Sequence, residues 1–101
     1  MQDIACTLNA TDLRDRGRAW LKIGHYVAAS EAVPGGLELT FRGVPGLRAS
    51  LAELVRLEAE CCAWMKFATA DGPEGIRLAI TAAGEDGARG VRESFAPLTR
   101  G

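Results

Sequence analysis

The chain has no long apolar run, no surplus of either charge and one histidine, and each lack excludes a class of function. No stretch approaches the ~20 consecutive apolar residues that span a bilayer, so no membrane partner is expected. Twelve basic residues stand against 13 acidic ones, a formal net charge of −1. Nucleic-acid binders usually carry a clear basic excess, so no nucleic acid is expected as partner either. Met1-Gln2-Asp3-Ile4 shows no basic region followed by an apolar core, so no secretory leader is expected. That points to a cytoplasmic protein whose thiols are kept reduced. The cysteines number three, and an odd count argues against a disulfide framework. Phosphate loop, dinucleotide fingerprint, His-Glu-x-x-His motif, Cys-x-x-Cys pair and any evident Ser-His-Asp set are all missing, so no nucleotide cofactor is expected.

What is present describes an ordinary globular domain. Apolar residues make up 48% and charged residues 25% of the 101, enough for a single core, and residues 1–101 read as one domain. Ile4, Cys6 and Leu8 alternate with Ala5 and Thr7, the period of a short strand. Asn9 and Thr11 offer helix caps, and Leu13, Trp20, Leu21, Val27 and Ala28 recur at helical spacing. Gly17 and Gly24 lie on the same side and weaken that helix, so either a close helix contact compensates or it breaks near Gly24. Pro34-Gly35-Gly36 is a turn, and Leu37, Leu39 and Phe41 alternate with polar residues as a strand with one buried face.

From Arg48 to Trp64 the residues are good helix formers, and Leu51, Leu54, Val55, Glu58, Cys61, Cys62 and Met65 mark one side. Residues 66–69 and Ile76, Leu78 and Ile80 form a hairpin around 71–75. A last helix capped by Asp86 carries Ala88, Val91, Phe95 and Leu98 on one face, with Pro97 limiting its end. The order β-α-β-α-β-β-α predicts an α+β fold, three helices on one face of a small four-stranded sheet. Its part from Leu37 onward matches most of a ferredoxin-like unit, permuted if the first strand supplies the missing edge.

One feature carries chemistry of its own, the vicinal pair Cys61-Cys62. Consecutive helix positions differ by about 100 degrees, so the two thiols flank one direction, with Glu58 a turn earlier on the same side. Cys6 shares its strand's apolar face with Ile4 and Leu8, and three sulfurs plus a carboxylate converge if that strand lies under the helix. Thiolates select soft ions: three suit As(III) or Hg(II), while Zn(II) wants a fourth ligand from Glu58 or His25. The structural alternatives are plain ones. A cysteine often packs as a small hydrophobe. Glu58 on an apolar stripe needs a partner, which Arg14, Arg16 or Arg18 of the first helix can supply. Trp64 and Phe67 are expected in the core, and His25 at a helix end on the surface.

With Cys6-Thr7-Leu8, Leu13 to Trp20, and Glu58 to Phe67 in view, the chain resembles a family of small, largely uncharacterised bacterial proteins. That family has a Cys-x-Leu start, an arginine-bearing first helix, and a Glu-x-x-Cys-Cys-x-aromatic-x-x-Phe segment entering a β-hairpin. The resemblance implies no established reaction. The expectation is therefore a soft metal or metalloid site formed by Cys6, Cys61, Cys62 and Glu58, in a sensing, sequestering or carrier protein. Two alternatives stay open: a thiol redox enzyme with an activated nucleophile and a resolving cysteine, and a small interaction or homodimerisation module with packed cysteines.

Overall fold

A computed structural model describes residues 10–73 and 75–99. Helix α1 (Ala10–Gly24) is followed by strands β1 (Val27–Val33) and β2 (Gly36–Arg42), helix α2 (Leu47–Cys61), strands β3 (Met65–Gly72) and β4 (Gly75–Ala82), helix α3 (Gly84–Ser94) and a 3-10 turn (Ala96–Thr99). Among the described residues the fold is α+β, a four-stranded antiparallel sheet with three helices. The strand order is β1-β2-β4-β3. In that order β2-α2-β3-β4-α3 forms a β-α-β-β-α unit, and β1 takes the remaining edge beside β2 from ahead of it in the chain.

The alternation read in two segments becomes the centre of the core. Leu37 pairs with Ile80, Leu39 with Leu78 and Phe41 with Ile76, so six side chains share one face of the two central strands. Trp20 and Ile23 of α1, Leu47, Leu51 and Leu54 of α2, and Val91 of α3 close over them, joined by Phe95 and Leu98. Thr40, Arg77 and Ala79 stand on the other face, which is only partly buried or exposed. No described helix is long and apolar enough to cross a membrane.

Three expectations change. The segment 27–33 is a strand, at the edge of the sheet among the described residues, and not the end of the first helix; α1 stops at Gly24 after a tight last turn in which Tyr26 N–H donates to the Ile23 carbonyl at 3.0 Å. At that end Gly24 passes so close to Leu98 that a Cβ would collide with it, the close contact its glycine allows. Helix α3 starts at Gly84 with Ala83 as cap, so Asp86 sits in its first turn, where its charge favours the positive helix end. Trp64 is 38% exposed, whereas Phe67 packs on the core as expected. The strand expected at 4–8, with Cys6, lies outside the described residues.

Candidate thiol–carboxylate site

Helix α2 carries its apolar stripe through Leu51 and Leu54 and reaches Glu58 one turn later, so the same face brings a carboxylate into the core margin. The Glu58 and Arg16 side chains are each 13% exposed and stand 3.4 Å apart. Trp20 Nε1 donates to Glu58 Oε1 at 2.8 Å, the shorter of the two contacts on that oxygen. Glu58 thus has partners from α1 on one oxygen, which is what lets a carboxylate survive at this depth. Trp20 is itself fixed by Phe95, edge to face at 5.1 Å and 83°.

The other oxygen faces sulfur. Cys62 follows the last residue of α2, and its backbone N–H donates to the Glu58 carbonyl at 2.7 Å. That turn points the side chain back along the helix, and Sγ donates to Glu58 Oε2 at 3.4 Å. Burial pushes the Cys62 thiol up to about 11; the Glu58 charge and its acceptance of the S–H push the same way, and Arg16 opposes them. The thiol therefore keeps its proton at neutral pH.

Thiol and carboxylate open into a cavity of about 630 Å³ between α1, the end of α2 and the segment after α3. Its walls include Leu21, Trp64, Phe95 and Leu98, with Gly17 on the α1 side. The Trp64 ring lies against α3, where a Cβ added at Gly90 would stand 3.2 Å from it. The indole is therefore a cavity wall rather than a core residue.

Of the residues expected to form the site, Glu58 and Cys62 are brought together. Cys61 ends α2, and its side chain, like all of Cys6, lies outside what is described. Among the described residues no three His, Cys, Asp or Glu side chains converge to hold a metal. His25 lies exposed in the turn after α1 and is not part of the cavity wall. The expected partner for Glu58 among the α1 arginines is Arg16; Arg18 instead pairs with Asp15 on the surface. Sequence reasoning missed the Trp20 bond to Glu58. Its one signal was a large side chain with a hydrogen-bond donor on a buried helix face, which needs an acceptor somewhere. Comparison of the chain with protein-family models, curated proteins and solved structures finds no match.

Proposed function

We propose that the protein binds a soft metal or metalloid ion at Cys62, with Glu58 as charge partner and Cys61 and Cys6 as further thiol ligands. The observation that carries this reading is the Cys62 thiol directed at an inward-facing carboxylate on the wall of a cavity. Burial first, and then the Glu58 charge beside it, disfavour the thiolate and so hold the thiol proton. The same charge favours a cation. An arriving soft ion exchanges for the proton, leaving the sulfur bound and the local charge balanced.

This arrangement supports ion capture over thiol redox chemistry at Cys62. With a thiol near 11, the thiolate fraction at pH 7 is on the order of 10⁻⁴, a poor supply for a nucleophile. A metal ion needs no standing thiolate, because coordination itself displaces the proton. The role is holding or sensing an ion in a cytoplasmic setting.

Native mass spectrometry of the reduced protein with As(III), Hg(II), Cu(I) and Zn(II) tests it. One tightly held soft ion per chain is expected, lost in Cys62→Ser and weakened in Cys61→Ser and Cys6→Ser. Equal uptake by Cys62→Ser and the unchanged protein rejects the assignment.

A further inference from the structure

We propose that the open face of the sheet binds a second copy of the chain, packed face to face about a two-fold axis that runs along the strands between β2 and β4. The helices close over the side of Leu39 and Leu78, and the thiol cavity lies on that side as well. The opposite side faces water among the described residues: Lys66, Ala68, Ala70 and Arg77 are exposed, and Glu38 and Ala79 half-buried. A solvated face of an antiparallel sheet ordinarily carries polar side chains. Here alanines stand at its middle, and over such short side chains another sheet can approach closely.

Charge names the occupant. Glu31 of β1 stands directly opposite Glu38 of β2. Like charges in that position repel, and no ion pair among the described residues offsets them. Lys66 of β3 and Arg77 of β4 likewise have no ion pair among the described residues. Arg77 lies along Gly72, its Nε 3.6 Å from where a Cβ would stand, rather than against Glu38. Arg42, at the far end of β2, donates to the His25 carbonyl. The centre of the face is therefore acidic on its β1–β2 half and basic on its β3–β4 half.

A half-turn about an axis along the strands exchanges the two halves and keeps each residue's level along the sheet. It sets β1 and β2 of one copy over β3 and β4 of the other. Glu31 and Glu38 share a level with Ala79 and Ala68, and Arg77 and Lys66 stand two residues away on either side of it. Each copy's carboxylates thus land on the other's alanines, between its two cations, and the contact is self-complementary as a two-fold requires. A two-fold across the strands would instead set β1 and β2 over themselves, carboxylates toward carboxylates. Charge selects the first axis. The area suits a dimer too. Four strands of 7 or 8 residues cover about 19 by 25 Å, and two such faces bury on the order of 1,000 Å², the lower end of specific interfaces.

Sedimentation velocity of the full chain tests it over about 5 to 500 μM, the range in which an interface of this size associates. Reductant and a chelator are present, so that neither a disulfide nor a bridging ion joins two copies. Expected is a monomer–dimer equilibrium that weakens several-fold between roughly 0.05 and 0.5 M salt. Glu31→Lys/Glu38→Lys and Lys66→Glu/Arg77→Glu are each monomeric alone and form a dimer when mixed, because each reversal then faces the other. Circular dichroism checks that both are folded. Glu38→Gln, which keeps the shape of the side chain, weakens the dimer several-fold and serves if a reversal does not fold. A monomer at every concentration, or an unchanged dimer in Glu38→Gln, overturns the inference. So does a mixture of folded reversals that stays monomeric. A dimer kept by both reversals but lost in Leu21→Glu overturns it as well, and moves self-association to the groove on the helical side. Soft-ion uptake by all these face variants is expected to match the unchanged protein, so failure here leaves the thiol site untouched.

Discussion

Helices α1 and α2 share two clefts of similar size, one near each end of α2, and the two differ in what they hide. At the N-terminal end, about 680 Å³ is lined by Lys22, Tyr26, Pro45, Ser50 and Glu53 among others. Its charged groups reach water. Glu53 is held outside by Arg56 at 2.6 Å, and that contact lowers its carboxyl below the usual range. At the C-terminal end the carboxylate points inward, takes its donors from Trp20 and Arg16, and meets a thiol. Volume is therefore no guide to which cleft does chemistry. What separates them is a polar group kept where solvation is poor, at a cost in stability that an ordinary surface groove never incurs.

The largest effect that would sharpen this contrast is structural. Trp20→Ala removes a buried ring, its contact with Phe95 and the donor on Glu58, and is expected to cost roughly 3–5 kcal/mol in urea unfolding. Tyr26→Ala, at a 38% exposed residue lining the other cleft, should cost less than ~1 kcal/mol. Equal losses would erase the distinction between a built site and a groove.

Glu58→Gln comes next. It keeps the oxygen that Trp20 and Arg16 share but leaves the inward-facing Arg16 without a counter-charge, at an expected cost of about 1–3 kcal/mol. Two of the causes that raise the Cys62 thiol disappear with the charge, while burial remains. The thiol then titrates at lower pH, and its alkylation rate at a fixed pH of about 8 rises several-fold. A rate unchanged from the parent protein would mean that Glu58 does not control the thiol.

A smaller effect appears in the pH dependence of stability. The Cys62 thiol titrates at 9.0 in its ordinary state and at about 11 in the folded chain. The folded form thus binds the proton more tightly, so this contribution is fully present below about 9. It is lost as the pH rises through about 11. Cys62→Ala should flatten the alkaline fall in urea midpoint relative to the parent. Parallel curves would show that the thiol is not the titrating group. Smallest of all, Lys22→Ala in the opposite cleft should change stability by less than ~0.5 kcal/mol and leave ion uptake as it was. A loss of uptake there would move the site.

How much of this was legible depends on how local each cause is. Leu37, Leu39 and Phe41, with Ile76, Leu78 and Ile80, announce two half-buried strands because a period of two needs only the residue's own neighbours. The stripe of α2 places Glu58 beside Cys62 for the same reason, since four residues make about one turn. The 27–33 strand was not legible. Val-Ala-Ala-Ser-Glu-Ala-Val lacks the alternation of a strand, its Val27 and Ala28 continue the helical spacing of the residues before them, and it is mostly exposed. It is a strand because β2 offers it unpaired backbone groups, from Val27 opposite Phe41 to Val33 opposite Gly36. Trp64 was expected in the core by its residue type, yet it is 38% exposed and its ring edge lies against α3 at Gly90.

By itself the sequence determined the α+β class, the central strands, the amphipathic helices and the adjacency of a thiol and a carboxylate. All of these follow from periodicity and from contacts within one turn of chain. Tertiary structure alone decided that Trp20 and Arg16 face Glu58 across 38 and 42 residues. It also decided that the thiol keeps its proton to about 11 and that a cavity stands open beside it. Burial and the choice of partner belong to the packed arrangement of α1 against α2, which no local pattern encodes.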